Sequence, residues 1–198
     1  LNAMLISTMR AERENAFHAR HDMLTGLSNR TGLAKAFAAR FESEAAPRGL
    51  ALVYLDLDGF KAVNDNYGHM AGDALLQLVA ERLRGLVRSS DIAARIGGDE
   101  FVVLSEQTER VQLQRFGERI VREISEPYEL DSGHQLSIGA SVGIALAPEH
   151  GRDMNSLMTA ADAALYQAKS RGKSLCVIAG QRSVLDARVS GGRSLRLQ

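Results

Sequence analysis

Apolar positions along this chain follow two rhythms, one suited to strands and one to helices. Residues 50–55, Leu-Ala-Leu-Val-Tyr-Leu, form an unbroken apolar run whose length predicts a strand buried on both faces. Before it, Leu33, Phe37 and Phe41 recur every four residues between Thr31 and Glu44, one apolar face of a helix that Pro47 and Gly49 would end. The same helical rhythm returns three times. Leu75, Leu78, Val79 and Leu86 share a face in 72–88, and Leu113, Phe116, Ile120 and Ile124 do so in 108–125. In 153–170 the stripe is Met154, Leu157, Met158, Ala161, Leu165 and Ala168, where the methionines read as core packing. Two short β-branched or aromatic stretches, Ile92 to Ile96 and Phe101 to Leu104, flank a Gly-Gly pair and predict a hairpin. A smaller hairpin is expected near 127–138, turning at Asp131-Ser132-Gly133. After the first helix the order is strand, helix, hairpin, helix, strand, helix, strand. It implies a central mixed sheet with helices on its faces, an α/β (α+β) sandwich.

At 198 residues the chain is long enough for one domain with a proper core plus flanking segments. Lys plus Arg equals Asp plus Glu, 24 each, so no net charge points to a nucleic-acid polymer or an anionic membrane. Cys176 is the single cysteine, which excludes an internal disulfide framework. Its apolar neighbours Leu175, Val177 and Ile178 mark it as a core residue of a final strand. No run reaches the roughly 18 apolar residues of a membrane helix, and no signal peptide is evident. The opening Leu-Asn-Ala-Met resembles an expression-tag remnant, so residues 1–3 are set aside. Residues 5–20 are polar and helical in composition without a strong apolar face.

Chemistry concentrates at two acidic clusters. The first is the hairpin turn Gly97-Gly98-Asp99-Glu100, where glycines admit a bulky ligand close to the backbone and carboxylates can hold a divalent cation. The second ends the apolar run, at Asp56-Leu57-Asp58-Gly59-Phe60-Lys61. Alternation puts Asp56 and Asp58 on one side of an extended chain, with Leu57 facing away. Asn64, Asp65, Tyr67, Gly68, His69, Gly72 and Asp73 follow, just before a helix. A solvated polar loop is one reading. The other is a nucleotide site, with carboxylates for metal, backbone amides and a lysine for phosphates, and Asn with Asp for base edges.

These residues resemble the GGDEF domain, the diguanylate cyclase family. Asp22-Met-Leu-Thr-Gly-Leu-Ser-Asn-Arg30 matches its opening motif. Asp56 to Lys61, Asn64-Asp65, Tyr67-Gly68-His69 and Gly72-Asp73 match its substrate motif at the expected spacing, and the signature hairpin is intact. Ser141 to Ala145 and Ala161 to Lys169 match its last strand and helix, so the resemblance covers about residues 20–178. It implies a palm-like fold similar to class III nucleotidyl cyclases, with a mainly antiparallel five-stranded sheet. It divides the chain into residues 1–20 as remnant and N-terminal helix, 21–178 as the catalytic domain, and 179–198 as a tail or linker. The N-terminal helix is either a signalling element or a solvated end.

The implied activity joins two GTP into cyclic di-GMP with release of two pyrophosphates, at the interface of a homodimer. Mg²⁺, with Mn²⁺ as a substitute, would be held by Asp56, Asp99 and the main-chain carbonyl of Leu57. Asp99 and Glu100 are the implied catalytic pair, with Asp99 the candidate base for the 3′-hydroxyl. Phe60 and Lys61 at the turn, with Lys169 and Lys173, are implied in phosphate binding. Asn64 and Asp73 would read guanine, with Asp73 expected to be a buried carboxylate, and Gly97 and Gly98 would admit the nucleotide. His69 belongs to the same motif or is structural. One departure concerns the last turn: the family often continues Gly-Lys-Asn-Arg, and here Gly172-Lys173-Ser174-Leu175 stands instead. Arg88-Ser-Ser-Asp91 has the family's product-inhibition spacing, and Arg115 with Arg119 resemble its secondary arginines. A silent GGDEF domain that binds GTP or cyclic di-GMP and regulates an attached phosphodiesterase is the second implied function. A cytoplasmic location is expected, in a parent protein that is free or anchored in the inner membrane.

Overall fold

The computed structural model describes residues 17–41, 49–130, 133 and 135–180. Helix α1 (Arg30–Phe41) leads into strand β1 (Leu50–Asp58), helix α2 (Phe60–Tyr67) and helix α3 (His69–Leu86). Strands β2 (Ile92–Gly97) and β3 (Glu100–Ser105) precede helix α4 (Arg110–Ile124). The two-residue strands β4 (Tyr128–Glu129) and β5 (Gln135–Leu136), strand β6 (Gly139–Ala147), helix α5 (Met154–Ser170) and strand β7 (Cys176–Ile178) follow. The main sheet has the order β2-β3-β1-β6-β7, antiparallel throughout except for the parallel β6–β7 pair. The five-stranded, mainly antiparallel sheet flanked by helices is the architecture expected from the sequence.

Strand β1 lies at the centre because both of its faces are apolar. Ala51, Val53, Leu55 and Leu57 pack into one core layer with Leu75, Val79 and Leu83 of α3 and Leu113 and Ile120 of α4. Leu50, Leu52 and Tyr54 pack into the opposite layer with Leu33 and Phe37 of α1 and Leu157 and Leu165 of α5. The layer beside α5 is thin at one point, and a glycine makes it so. A Cβ on Gly143 of β6 would lie 2.1 Å from the Ala161 carbonyl oxygen and 2.3 Å from the Leu165 nitrogen. Helix α1 starts where Asn29 caps it, its Oδ1 accepting from the Gly32 amide at 2.9 Å. Helix α5 starts on Asp153, whose Oδ1 accepts from the Ser156 amide at 2.9 Å.

Some expectations shift. Residues 60–67 are a helix, where the polar composition reads as a loop, and α3 starts at His69, three residues before the expected segment 72–88. Short polar helices carry little periodic signal, and α2 buries only Phe60 and Val63. Phe41 stacks on Phe37 at 5.2 Å but stays 37 % exposed, so it rims the core. Cys176 does sit on the final strand, and burial followed by the Glu118 charge pushes its thiol up to about 12. The small hairpin forms as β4–β5; Asp131 and Ser132 of its turn lie outside the described residues. Most of the expected N-terminal helix, Pro47, and the tail beyond residue 180 also lie outside them. No helix among the described residues is long and apolar enough to cross a membrane.

Candidate functional site

The two acidic clusters meet because β1 and β3 are neighbours. Antiparallel register sets Asp56 directly opposite Glu100, and on its other side opposite Ser141 of β6. The Leu57 amide donates to the Asp99 carbonyl at 3.3 Å, which brings the hairpin turn against the end of β1. Alternation from Tyr54 carries Asp56 and Asp58 onto the α5 side of the sheet, as the sequence predicts. There Lys169 of α5 places Nζ 2.7 Å from Asp56 Oδ1. Burial raises the Asp56 pKa, Lys169 pulls it back, and the nearby charges of Asp99 and Asp58 raise it further. Tyr54 donates its hydroxyl to Glu100 Oε1 at 3.1 Å, and burial followed by the Glu100 charge raises the phenol pKa.

The turn of the hairpin is open and braced from below. Gly98 has φ +46°, and a Cβ on Gly97 or Gly98 would meet nothing within 4 Å, so a ligand can approach the backbone there. Arg95 donates Nε to the Gly98 carbonyl at 2.9 Å and Nη1 to both oxygens of Asp22 at 3.1 Å. Asp22 Oδ1 also accepts from the Thr25 amide at 2.9 Å and the Thr25 hydroxyl at 2.6 Å. Burial acts to raise the Asp22 pKa, but the Thr25 and Arg95 contacts outweigh it and hold the carboxyl below its usual value. The opening motif is thereby tied to the Gly-Gly turn through one arginine.

Gly59, at φ +89°, turns the chain from β1 into α2 and puts Phe60 and Lys61 at the N-terminus of that helix, where amides favour anions. Phe60 is buried and Lys61 exposed. On the same helix Asn64 is half-buried, and Gly72 of α3 makes room for it: a Cβ there would lie 2.0 Å from Asn64 Oδ1. Asp73 is exposed, which corrects the expectation of a buried carboxylate. Asp73 lies on the solvent side of α3, while Gly72, Leu75 and Leu76 on its other side are buried. His69, at the start of α3, is exposed as well. Lys173 is exposed on the turn after α5.

A cavity of about 480 Å³ opens between β1, β3 and α5, lined by Asp56, Glu100, Asp162, Tyr166 and Lys169. A second, of about 330 Å³, is lined by Arg88, Asp91, Arg115, Phe116 and Arg119, bringing together all four residues of the Arg-x-x-Asp set. The Arg88 amide donates to Asp91 Oδ2 at 2.9 Å, and Arg119 donates to the Leu86 carbonyl at 2.7 Å. A larger cavity, about 790 Å³, runs along α3 past Met70, Ala74 and Leu78 and contains none of the acidic cluster.

Among the described residues no group of three or more His, Cys, Asp or Glu side chains forms a complete metal cage. Mg²⁺ asks for less, since one or two carboxylates with substrate phosphates hold it. Burial first, and then the charges of Asp99 and Asp58, raise Asp56, and the Leu57–Asp99 backbone contact brings the hairpin's carboxylates to the end of β1, so these hard oxygen donors fit a divalent cation. Sequence reasoning assigned no role to Tyr54, Arg95, Asp162 or Tyr166. Tyr54 carries a usable signal: it is the one polar-tipped residue of its apolar run, two positions before Asp56 on the same face.

The fold is the palm-like α+β fold of the cyclases, and the particular family follows from comparison. The model of the diguanylate cyclase GGDEF domain matches residues 19–175, and the chain belongs to the GGDEF family. It is 46 % identical over 173 residues to the bifunctional diguanylate cyclase/cyclic di-GMP phosphodiesterase MucR of Pseudomonas aeruginosa, covering 87 % of this chain and 25 % of that protein. It is 40 % identical to the cyclic di-GMP phosphodiesterase NbdA of the same organism, covering 87 % of this chain and 22 % of that one. The chain thus spans a quarter or less of these two relatives. Among solved structures it resembles the coiled coil and GGDEF domain of DgcB from Caulobacter crescentus in complex with c-di-GMP. That match has a TM-score of 0.78 at 28 % identity, over 90 % of this chain and 95 % of that one. The GGDEF domain of TpbB from Pseudomonas aeruginosa matches with a TM-score of 0.76 at 35 % identity, over 86 % and 99 % of the two chains.

Proposed function

We propose that this domain is a diguanylate cyclase, condensing two GTP into cyclic di-GMP and two pyrophosphates. The observation that carries the reading is the pairing of β1 with β3, which sets Asp56 opposite Glu100 and Asp99 against Leu57, with no carboxylate or glycine of the signature lost. Asp56, Asp99 and the Leu57 carbonyl would hold Mg²⁺, which when bound lowers the charge on the phosphates and the pKa of the attacking hydroxyl. The amides at Phe60 and Lys61, with Lys169 and Lys173, hold the triphosphate. Asn64 and Asp73 read the guanine edge; Asp73 accepts from N1–H and the exocyclic amine, a donor pair adenine lacks. Because Asp73 is exposed, its desolvation is felt only once a base covers it, and a base that cannot pair with it then binds at a loss.

Each attack joins the 3′-hydroxyl of one GTP to the α-phosphorus of the other and releases pyrophosphate. The Gly97-Gly98 turn presents its open side to that encounter. One domain holds one GTP, so two domains face each other about a twofold axis, and proximity supplies a large part of the rate. The cavity at Arg88, Asp91, Arg115 and Arg119 takes the product. Guanidinium groups pair with guanine and stack on it, and the carboxylate takes its Watson–Crick edge. A second reading, a silent domain that binds nucleotide and regulates a phosphodiesterase, is favoured by the 40 % identity to NbdA, which is named for its phosphodiesterase activity. GTP with Mg²⁺ at high protein concentration, products separated by chromatography, decides between them. Cyclic di-GMP from wild type and none from Asp99→Ala supports the cyclase. GTP binding without product from either supports the silent domain.

A further inference from the structure

Asp58, the second carboxylate of the Asp-Leu-Asp run, is spoken for by neither the metal nor the phosphates in the reading above. It faces inward across the end of the sheet. Its Oδ2 accepts from the Ser141 hydroxyl of β6 at 2.8 Å and from the Ser174 amide at 3.1 Å. The Ser174 amide also lies 3.2 Å from Ser141 Oγ, so strand, strand and loop converge on one point. Its other oxygen, Oδ1, is buried and has no hydrogen-bond partner among the described residues. A carboxylate kept here at that desolvation cost is held for what Oδ2 does.

What Oδ2 holds is an unfavourable piece of backbone. Gly172, Lys173 and Ser174 have φ of +123°, +65° and +49° in succession. Only glycine tolerates that region freely, and Lys173 and Ser174 are the only non-glycine residues in it among those described. The position where the family often has Asn, a residue better suited to positive φ, here carries Ser174. The loop is fixed before and after: the Lys173 amide donates to Ala168 at 3.2 Å, and the Leu175 carbonyl accepts from Val142 at 2.8 Å. Between those points the Ser174 amide is the tie, shared between Asp58 Oδ2 and the Ser141 hydroxyl that Asp58 itself holds. The neighbouring strand makes room for the contact, since a Cβ on Gly139 would lie 2.7 Å from Ser174 Oγ and 3.2 Å from Asp58 Cβ.

We infer that Asp58 is a positioning residue: by accepting from the Ser174 amide it holds the left-handed turn that aims Lys173 at the nucleotide's phosphates. The inference rests on the proposed GTP site. It gives the Asp-Leu-Asp run two distinct tasks, with Asp56 facing the metal and Asp58 shaping the turn that carries a phosphate-binding lysine.

The test combines two readouts. Hydrogen exchange follows the Ser174 amide in wild type, Asp58→Asn and Asp58→Ala. Titration follows Mg²⁺-GTP and GMP binding in the same proteins and in Lys173→Ala with and without Asp58→Ala. Protection of the Ser174 amide should fall at least tenfold in Asp58→Ala and persist in Asp58→Asn, whose remaining oxygen still accepts. The GTP Kd should rise about tenfold in Asp58→Ala, the scale of one charge-assisted phosphate contact, with GMP binding unchanged. Lys173→Ala should lose the same factor, and the double variant no more than either single one. Multiplying losses in the double variant, equal weakening of GMP, or unchanged Ser174 exchange would each overturn the inference. Wild type that binds no GTP would instead refute the proposed site, while the exchange readout still decides whether Asp58 holds the turn.

Discussion

Replacing Asp22 with alanine removes the brace beneath the Gly-Gly turn. The carboxylate accepts from the Thr25 amide and hydroxyl and pairs with Arg95 through both oxygens. The side chains of Arg95 and Asp22 are 13 % and 23 % exposed, so solvent screens the pair only in part. A hydrogen bond to a charged group contributes about 1.5–3 kcal/mol, and such contacts on one carboxylate do not add in full. Discounting for partial exposure, and counting the desolvated Arg95 left behind, Asp22→Ala should cost about 2–4 kcal/mol. Asp22→Asn keeps an acceptor for Thr25 and loses the charge, so it should fall between wild type and alanine. The carboxyl is held below 3.8 in the folded state, so its stabilisation is complete above that value and is lost as pH falls through the lowered folded pKa. Urea unfolding at pH 7 and at successively lower pH measures this directly. The gap between wild type and Asp22→Asn should be constant near neutrality and close below about pH 4. A cost for Asp22→Ala under about 0.5 kcal/mol, the range of ordinary surface changes, would refute the reasoning.

Three further outcomes follow from named contacts. Gly143→Ala drives a methyl group into the α5 backbone, 2.1 Å from the Ala161 oxygen, and should cost about 3 kcal/mol or more, read as a lowered unfolding midpoint or loss of soluble protein. Arg88→Ala should leave GTP turnover intact and weaken inhibition by cyclic di-GMP about tenfold or more, measured as the product concentration that halves the rate. Asp73→Ala should narrow the preference for GTP over ATP by about 1–3 kcal/mol in competitive binding, leaving the fold unchanged because the side chain is exposed.

Much of this architecture is written in periodicity. Strand β1 reads as doubly buried because Leu50 to Leu55 is unbroken, and its two faces do enter two separate core layers. The stripe from Met154 to Ala168 became α5, with Leu157, Ala161 and Leu165 buried as spaced. Helix α2 is hidden because eight residues with only Phe60 and Val63 buried carry too little period to register. Of the site, motif spacing anticipated Asp56, Asp99 and Glu100 as one cluster and the four residues of the arginine-lined cavity as another. Contacts across long sequence separations were not legible. No local pattern announces that Arg95 joins Asp22 to the Gly98 carbonyl, that Lys169 reaches Asp56, or that Asp58 meets Ser174, because strand order and helix placement create those pairs. The burial of Asp73 was misjudged for a related reason. A motif does not show which side of its helix a residue takes, and Asp73 falls on the solvent side of α3 beside the buried Gly72.

The central claim is that two copies of this domain, each with one GTP, make one cyclic di-GMP. Its most direct test is the initial rate of cyclic di-GMP formation per mole of protein, with saturating GTP and Mg²⁺, over a wide range of protein concentration. The account predicts that this specific rate climbs in proportion to concentration while the domains are mostly monomeric and levels off as they pair. A specific rate independent of concentration in a protein that stays monomeric throughout, or GTP bound with no product at any concentration, would contradict it.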